Sequence, residues 1–187
     1  MSDFDKARYI EFLKSLLYFL PKFFKNPIEG MKNAPNLNWY EVISLQFIVS
    51  LASGLLSGII SKSFIFLFWG VFIYPFFSIL VSFVACLLLH YGILFFFQKE
   101  YSIRQTYIIL VLANLPFLVL RLISPIVPSI DIIGFLIVGF LLVVGLVENY
   151  GLDKKKVIKL VFYIVLGLAI TWLIQSFLLY RNVYAML

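Results

Sequence analysis

The sequence contains one cysteine, Cys86, and one histidine, His90, so no zinc site of the usual Cys/His type can be built. The two residues are spaced i, i+4 on one face of a predicted helix. We interpret Cys86 as a packing residue and His90 as a residue that joins helices by a hydrogen bond. A Cys–His catalytic pair is the alternative. The chain has no HExxH, GxSxG, P-loop or GxGxxG motif. We predict a protein that is not an enzyme and holds no metal or cofactor.

Charged residues are also scarce, at 13% of the 187 residues, against roughly a quarter in a soluble domain. Hydrophobic residues make up 63% of the chain, and the mean hydropathy is +1.05. A chain of this length buries only part of its apolar surface when it folds in water, so its solvent must be lipid. The sequence predicts an all-α, polytopic membrane helix bundle. The net charge of +6 is explained by lysines in membrane loops and does not indicate nucleic acid as a partner.

Five apolar stretches are each long enough to cross a bilayer as a helix. They are residues 42–61, 73–97, 104–123, 131–149 and 157–179. The connection at 62–76 is too apolar for an ordinary loop, and it either extends a span, re-enters the membrane or lies at the interface. Four or six spans are therefore the alternatives to five.

The N-terminal segment, residues 1–38, is not a span, and residues 39–187 form the predicted transmembrane domain. Apolar residues before Pro21 recur at spacings of three and four, which is typical of one helical face. This face consists of Tyr9, Phe12, Leu13, Leu16, Leu17 and Leu20. Basic and polar side chains fill the rest of the helix. Such an amphipathic helix lies in the membrane interface, and the alternative is a helix packed on the protein's own cytoplasmic surface.

Lysine and arginine are distributed unevenly between the two sides of the predicted bundle. Only three lie opposite the N-terminus, namely Lys62, Arg121 and Arg181. Twelve lie on the N-terminal side, namely Lys6, Arg8, Lys14, Lys22, Lys25, Lys32, Lys99, Arg104, Lys154, Lys155, Lys156 and Lys159. The positive-inside rule therefore predicts a cytoplasmic N-terminus and a C-terminus outside.

No acidic residue lies deep within a predicted span, which disfavours an ion-coupled carrier. The polar residues within the spans, apart from serines, are Gln46, His90, Asn114, Thr171 and Gln175. Such side chains more often join helices than line a pathway. A permeation route past Asn114 and His90 is the alternative.

Two patterns within the spans indicate close helix packing. Ser50, Gly54 and Gly58 repeat every four residues, a face that suits an internal partner helix or a second subunit. In the third span, Pro116 removes an amide donor and leaves a carbonyl one turn earlier without its partner. Asn114 is close enough to cover that carbonyl or to reach a neighbouring helix. We expect the third span to be kinked, central and packed on other helices.

Three short stretches resemble the Yip1 domain family in its prokaryotic branch. They are "FFKNPIEGMK" at 23–32, "ANLPFL" at 113–118 and "VVGLVENYGLDKKKVIKLV" at 143–161. The resemblance implies a five-span integral membrane protein with a cytoplasmic N-terminus, and structural roles for Pro27, Pro116 and Gly151. Eukaryotic members act in early secretory traffic and associate with Rab GTPases and with each other. Their "DLYGP" stretch does not occur here, so a Rab-type partner is not implied.

We therefore predict a non-enzymatic protein of the bacterial inner (cytoplasmic) membrane that organises lipids or membrane partners. The partner is either another membrane protein or a second copy of the chain in a homo-oligomer. Its contacts with anionic headgroups or an acidic partner are predicted at Lys22, Lys25, Lys154, Lys155, Lys156 and Lys159. In the simpler interpretation these lysines only fix the topology. The alternative function is a transporter, channel or lipid-moving protein that uses the kinked third span.

Overall fold

A computed structural model of the chain describes residues 3–124, 126–127 and 130–184, with side chains at 12, 14–124, 126–127, 130–167 and 169–170. All regular elements in these ranges are helical, so the predicted all-α class is confirmed. The helices are α1 (Asp3–Lys25), α2 (Pro27–Lys32), α3 (Trp39–Ile60), α4 (Phe64–Phe68), α5 (Tyr74–Phe97), α6 (Ile103–Leu120), α7 (Ile130–Tyr150) and α8 (Lys154–Tyr184). A π-helical segment, Trp69–Ile73, joins α4 directly to α5.

Four helical stretches in the described part of the chain are long and apolar enough to cross a membrane. They are Trp39–Ile60, Phe64–Phe97, Ile103–Leu120 and Ile130–Tyr150. These helices make the protein a polytopic helical bundle, as predicted. The backbone of α8 covers the predicted fifth span at 157–179, but its side chains after 170 lie outside the described set. A total of five spans therefore stays a prediction, as do the roles of Thr171 and Gln175.

The region 62–76 extends the second span. From residue 64 onward it belongs to a 34-residue helical stretch, Phe64–Phe97, that runs through α4, the π segment and α5. A tight turn precedes it, in which Lys62 has a φ of 51°. This turn folds the stretch back on α3, so the two form a helical hairpin.

The sequence sets the start of α3 by a capping box. The Asn38 side chain accepts a hydrogen bond from the Glu41 amide at 2.9 Å, and the Glu41 carboxylate accepts one from the Asn38 amide at 2.8 Å. This reciprocal pair satisfies amide donors that a helix N-terminus otherwise leaves open. The boundary predicted between residues 38 and 39 coincides with this helix start.

The centre of the bundle is α6, which packs on α3, α5 and α7. Residues 106–113 are buried without interruption, so this helix is covered on all sides for two turns. The helix is continuous through Pro116 and ends at Leu120, three residues before the predicted limit. The predicted central position of the third span is therefore confirmed.

Consecutive spans run in opposite directions, which defines two ends of the bundle. The basic end contains α1, α2 and the connections 98–102 and 151–153, and the far end contains the turns 61–63 and 121–124. Hydrogen bonds join the parts of the basic end: Arg104 donates to the Asn36 side chain at 3.0 Å, and the Tyr101 hydroxyl donates to the Tyr150 carbonyl at 2.9 Å. The rings of Tyr101 and Tyr150 also stack, with centroids 3.9 Å apart.

Candidate functional site

A polar cluster in the membrane region joins α3, α5 and α6. The Gln46 amide nitrogen donates to the Ser82 hydroxyl at 2.7 Å and to the Ser78 carbonyl at 3.0 Å. The Tyr107 hydroxyl donates to the Gln46 amide oxygen at 2.6 Å. Both hydrogen-bonding ends of the buried Gln46 side chain are thus used between helices, which is the joining role that its position predicts.

Beside this cluster the helices enclose a cavity of about 450 Å³. Its walls come from α3, α5, α6, α7 and α8, and its lining is predominantly apolar. Val81 and Leu88 on α5 and Tyr163 on α8 line it and are each about half exposed or more. These three side chains form a rim, so the cavity opens sideways between α5 and α8 onto the lipid-facing surface.

The cavity extends from the middle of the bundle to the far end. The lining begins at Leu110 on α6 and ends at Arg121, directly after that helix and eleven residues on, which is about 16 Å along a helix axis. The hydrocarbon core of a bilayer is about 30 Å thick, so this length corresponds to roughly one leaflet. The cavity therefore has the depth of a single lipid layer.

Arg121 and Tyr74 form the polar end of the cavity. The guanidinium lies over the tyrosine ring, 4.3 Å from its centroid, and donates to the Tyr74 hydroxyl at 3.1 Å. Arg121 is exposed, and a guanidinium has five N–H donors, so this contact orients the group without using it up. The nearby Asp131 carboxylate instead accepts a hydrogen bond from the Ser124 hydroxyl at 3.0 Å.

Asn114, on which the alternative function depends, lines the cavity. Its side chain is half-buried and makes no hydrogen bond to any side chain or backbone group that the structure describes. It thus does not cover the carbonyl that Pro116 leaves open, one of the two roles considered for it. His90, the other residue of the predicted pathway, is not part of the cavity lining.

The structure does not join Cys86 and His90 by a hydrogen bond. The Cys86 thiol is buried and donates to the Ile103 carbonyl at 3.6 Å. The His90 ring lies against Tyr91 instead, with centroids 5.7 Å apart. This arrangement corresponds to a packing cysteine and does not form a nucleophile–base pair.

The small residues of the first span face the helical stretch that follows it. A Cβ placed on Gly54 would collide with the backbone of Gly70, and one on Gly58 would collide with the backbone of Leu67. The small-residue face therefore meets an internal partner, which was one of the two possibilities that the sequence left open.

Pro27 and Gly151, the other residues given structural roles, lie at helix ends. Pro27 is the first residue of α2, where its missing amide costs no hydrogen bond, and Asn26 caps that helix through the Glu29 amide at 3.2 Å. Gly151 follows the last residue of α7 and has a φ of +60°, which favours glycine.

At the basic end, α1 packs on the protein through part of its apolar face. Phe12 and Leu16 are buried in the core together with Phe23. Leu17, predicted on the same face, is 74% exposed, and Tyr18 beside it is 76% exposed. The helix therefore has one face on the protein and a second apolar surface turned outward. Tyr9 and Leu13 lie outside the described side chains.

The lysines predicted to contact lipid or a partner are exposed at this end. They are Lys22 and Lys25 in the last turn of α1, and Lys154, Lys155, Lys156 and Lys159 in the first turns of α8. The Lys156 amide donates to the Asp153 carboxylate at 3.0 Å, so Asp153 caps the start of α8. The exposed ammonium groups lie at the same end of the bundle as the exposed side chains of Leu17 and Tyr18.

Sequence reasoning missed Tyr74, Ser78, Ser82 and Tyr107, which supply most of the polar contacts in and beside the cavity. The spacing of Ser78 and Ser82, four residues apart in the second span, places them on one helical face and was a usable signal. Tyr74 and Tyr107 gave none, because tyrosine near a span end is also typical of the membrane interface.

The apolar helices of this bundle define an integral membrane protein that crosses the bilayer several times. The model of the Yip1 domain matches residues 21–175, which is most of the chain, so the protein belongs to the Yip1 domain family. The family predicted from the three short stretches is thereby confirmed, and its prokaryotic branch stays a prediction. No match was found among curated proteins or among solved structures.

Proposed function

We propose that this is a non-enzymatic protein of the prokaryotic Yip1 branch that organises lipids at the cytoplasmic surface of the bacterial inner membrane. The observation that supports this most is the outer surface of α1, where exposed Leu17 and Tyr18 lie beside Lys14, Lys22 and Lys25. Apolar side chains insert at the acyl boundary while lysines meet anionic headgroups, which is how interfacial helices bind. The protein's own core anchors the opposite face of α1.

The exposed lysines of α8 lie at the same end of the bundle. Each basic residue near an anionic leaflet contributes about 1 kcal/mol, so Lys154, Lys155 and Lys156 together account for a large enrichment of anionic lipid. The excess of basic residues at this end also supports a cytoplasmic N-terminus and, with five spans, a C-terminus outside. A membrane protein or a second copy of the chain is a further candidate partner for this surface.

Neutralising Lys154, Lys155 and Lys156 to glutamine tests the proposal. The full-length protein is extracted into nanodiscs from native membranes, and the ratio of phosphatidylglycerol to phosphatidylethanolamine that stays bound is measured by mass spectrometry. We expect the enrichment to fall by more than tenfold in the triple variant at low salt, because three contributions of about 1 kcal/mol are removed, and high salt to reduce the enrichment of the wild type to the same level. Lys62→Gln, which removes a charge at the far end, is the control. An unchanged ratio in the triple variant, with topology intact, would refute the proposal.

The cavity favours a second candidate, a lipid-moving protein. It reaches Asn114 in the third span and opens toward the lipid-facing surface between α5 and α8. An apolar lining suits acyl chains better than water or ions. It therefore favours a lipid-moving protein over a transporter or a channel. Transfer of fluorescent phospholipid between the leaflets of vesicles that contain the protein separates moving lipid from organising it.

A further inference from the structure

We propose that the cavity is a binding site for one glycerophospholipid of the leaflet at the far end, with an acyl chain inside the bundle and the phosphate at Arg121. This site is separate from the basic surface on which the proposed function depends. The argument has three parts, namely the depth of the cavity, its lateral opening and the distribution of polar groups along it.

The depth and the lining suit an acyl chain. The cavity follows α6 over about 16 Å, which is the depth of roughly one leaflet. Its volume of about 450 Å³ lies within the range of small-molecule sites, which bury most of their ligand in apolar surroundings. Because the rim at Val81, Leu88 and Tyr163 lies in the membrane region, a lipid can enter sideways without leaving the bilayer.

The polar groups fix the orientation of that lipid. At the inner end, the Gln46 amide is uncharged, and both of its ends are already hydrogen-bonded to Ser82, Ser78 and Tyr107. Gln46 therefore offers a headgroup neither a charge nor a free hydrogen-bonding group. At the outer end, the Arg121 guanidinium is held against Tyr74 and still has donors for an anion. A guanidinium fits phosphate oxygens with two parallel hydrogen bonds, which is why arginine is favoured at phosphate sites. The headgroup therefore belongs at the far end.

Gly167 allows the cavity to be filled with little disturbance of the fold. It lies in α8 and lines the cavity, and a Cβ placed on it would meet no atom of the described residues within 4 Å. Replacing glycine within a helix also raises helix propensity. Gly167→Phe should therefore occupy the space of the acyl chain in a folded protein. Leu166→Phe, at a neighbouring position that does not line the cavity, is the matched control.

The test uses the full-length protein in nanodiscs of phosphatidylethanolamine and phosphatidylglycerol, with a phospholipid that carries a photoreactive diazirine on one acyl chain. Cross-linked positions are mapped by mass spectrometry. We expect cross-links on the cavity wall of α5 and α6 and a loss of about tenfold in Gly167→Phe, whereas Leu166→Phe retains them. Ala85→Phe, which fills the same cavity from α5, provides a second variant, and the melting temperature verifies folding.

The headgroup contact is tested with Arg121→Gln, which should weaken cavity cross-linking about tenfold because it removes charge-assisted hydrogen bonds. Arg121→Lys should restore part of it, and Lys62→Gln at the same end should leave it unchanged. Cross-links spread evenly over exposed positions such as Phe95, and unaffected by both cavity-filling variants, would overturn the proposal. Competition by inorganic phosphate together with full cross-linking in both cavity-filling variants would also overturn it, since an anion site without an acyl chain in the cavity would then be sufficient. The triple lysine variant should leave these cross-links intact.

Discussion

At the scale of single residues, the bundle depends on contacts that leave no room for a side chain. Gly54 and Gly70 meet backbone to backbone where α3 crosses the π segment. Such close approach allows weak Cα–H···O=C contacts and extensive dispersion contacts between the helices. The contact also holds the hairpin at the level where α-helical hydrogen bonding changes to the wider π pattern.

Replacing Gly54 with leucine should lower the melting temperature markedly. The new side chain has no space beside Gly70, and overpacking of this kind typically costs about 1–3 kcal/mol. Thermal unfolding in mild detergent, followed by tryptophan fluorescence, measures the effect. Gly167→Leu is the matched control, because its Cβ meets no atom within 4 Å among the residues that the structure describes. Equal melting temperatures for the two variants would contradict the contact.

The sequence predicts the residues that make contacts better than it predicts their partners. Periodicity identified Gly54 and Gly58 as a packing face, and polarity identified Gln46 as a residue that joins helices. Their partners, Gly70, Ser78 and Tyr107, depend on the register between helices, which a pattern along one helix does not contain. The sequence places Arg121 only among the basic residues opposite the N-terminus, whereas its contact with Tyr74 connects positions 47 residues apart.

At the scale of helices, the short α2 is held to the bundle by a few specific contacts. Met31 is fully buried and lies against Gly145 and near Ile109, where a larger residue at 145 would not fit. The Asn149 side chain donates to the Met31 carbonyl and to the Gly145 carbonyl, both at 2.8 Å. One amide thus links the C-terminal turn of α7 to a helix that precedes the first span.

Asn149→Leu should loosen α2 without unfolding the bundle. Loss of a net hydrogen-bond contribution of about 1 kcal/mol raises the population of locally open states about fivefold. Limited trypsin digestion in nanodiscs should therefore cleave after Lys25 and Lys32 about fivefold faster, with cleavage after Lys154 unchanged. The control is Glu148→Leu, which changes the adjacent exposed residue in the same way. Identical cleavage rates in the two variants would show that Asn149 does not hold α2.

Helix existence was predictable and helix limits were less so. All of the predicted spans coincide with helices, because long apolar runs with capping signals are strong local patterns. The 62–76 stretch was ambiguous because hydropathy cannot distinguish a continued helix from an interfacial one. The apolar residues of α1 were predicted to form a single face, but the structure buries Phe12 and Leu16 and exposes Leu17. The width of an apolar face in the sequence does not indicate how much of that face a neighbouring helix covers.

At the scale of the whole molecule, the uneven distribution of basic residues between the two ends of the bundle implies one orientation in the membrane. We expect the basic end to face the cytoplasm. In a Cys86→Ser background, Glu100→Cys at the basic end and Ile126→Cys at the far end are two exposed reporters. An impermeant maleimide should label Ile126→Cys in intact spheroplasts and Glu100→Cys only after permeabilisation. The reverse pattern would place the N-terminus outside and contradict the positive-inside prediction.

The 34-residue stretch Phe64–Phe97 has a consequence for where the protein is most stable. As a helix it is about 51 Å long, whereas α3, its hairpin partner, has 22 residues and is about 33 Å long. Only the shorter member matches a hydrocarbon core of about 30 Å, so the longer one must tilt or thicken the surrounding bilayer. Hydrophobic mismatch of this kind favours lipids with longer chains around the hairpin. We therefore expect bilayer thickness to act beside the proposed attraction to anionic headgroups in sorting the protein within the membrane.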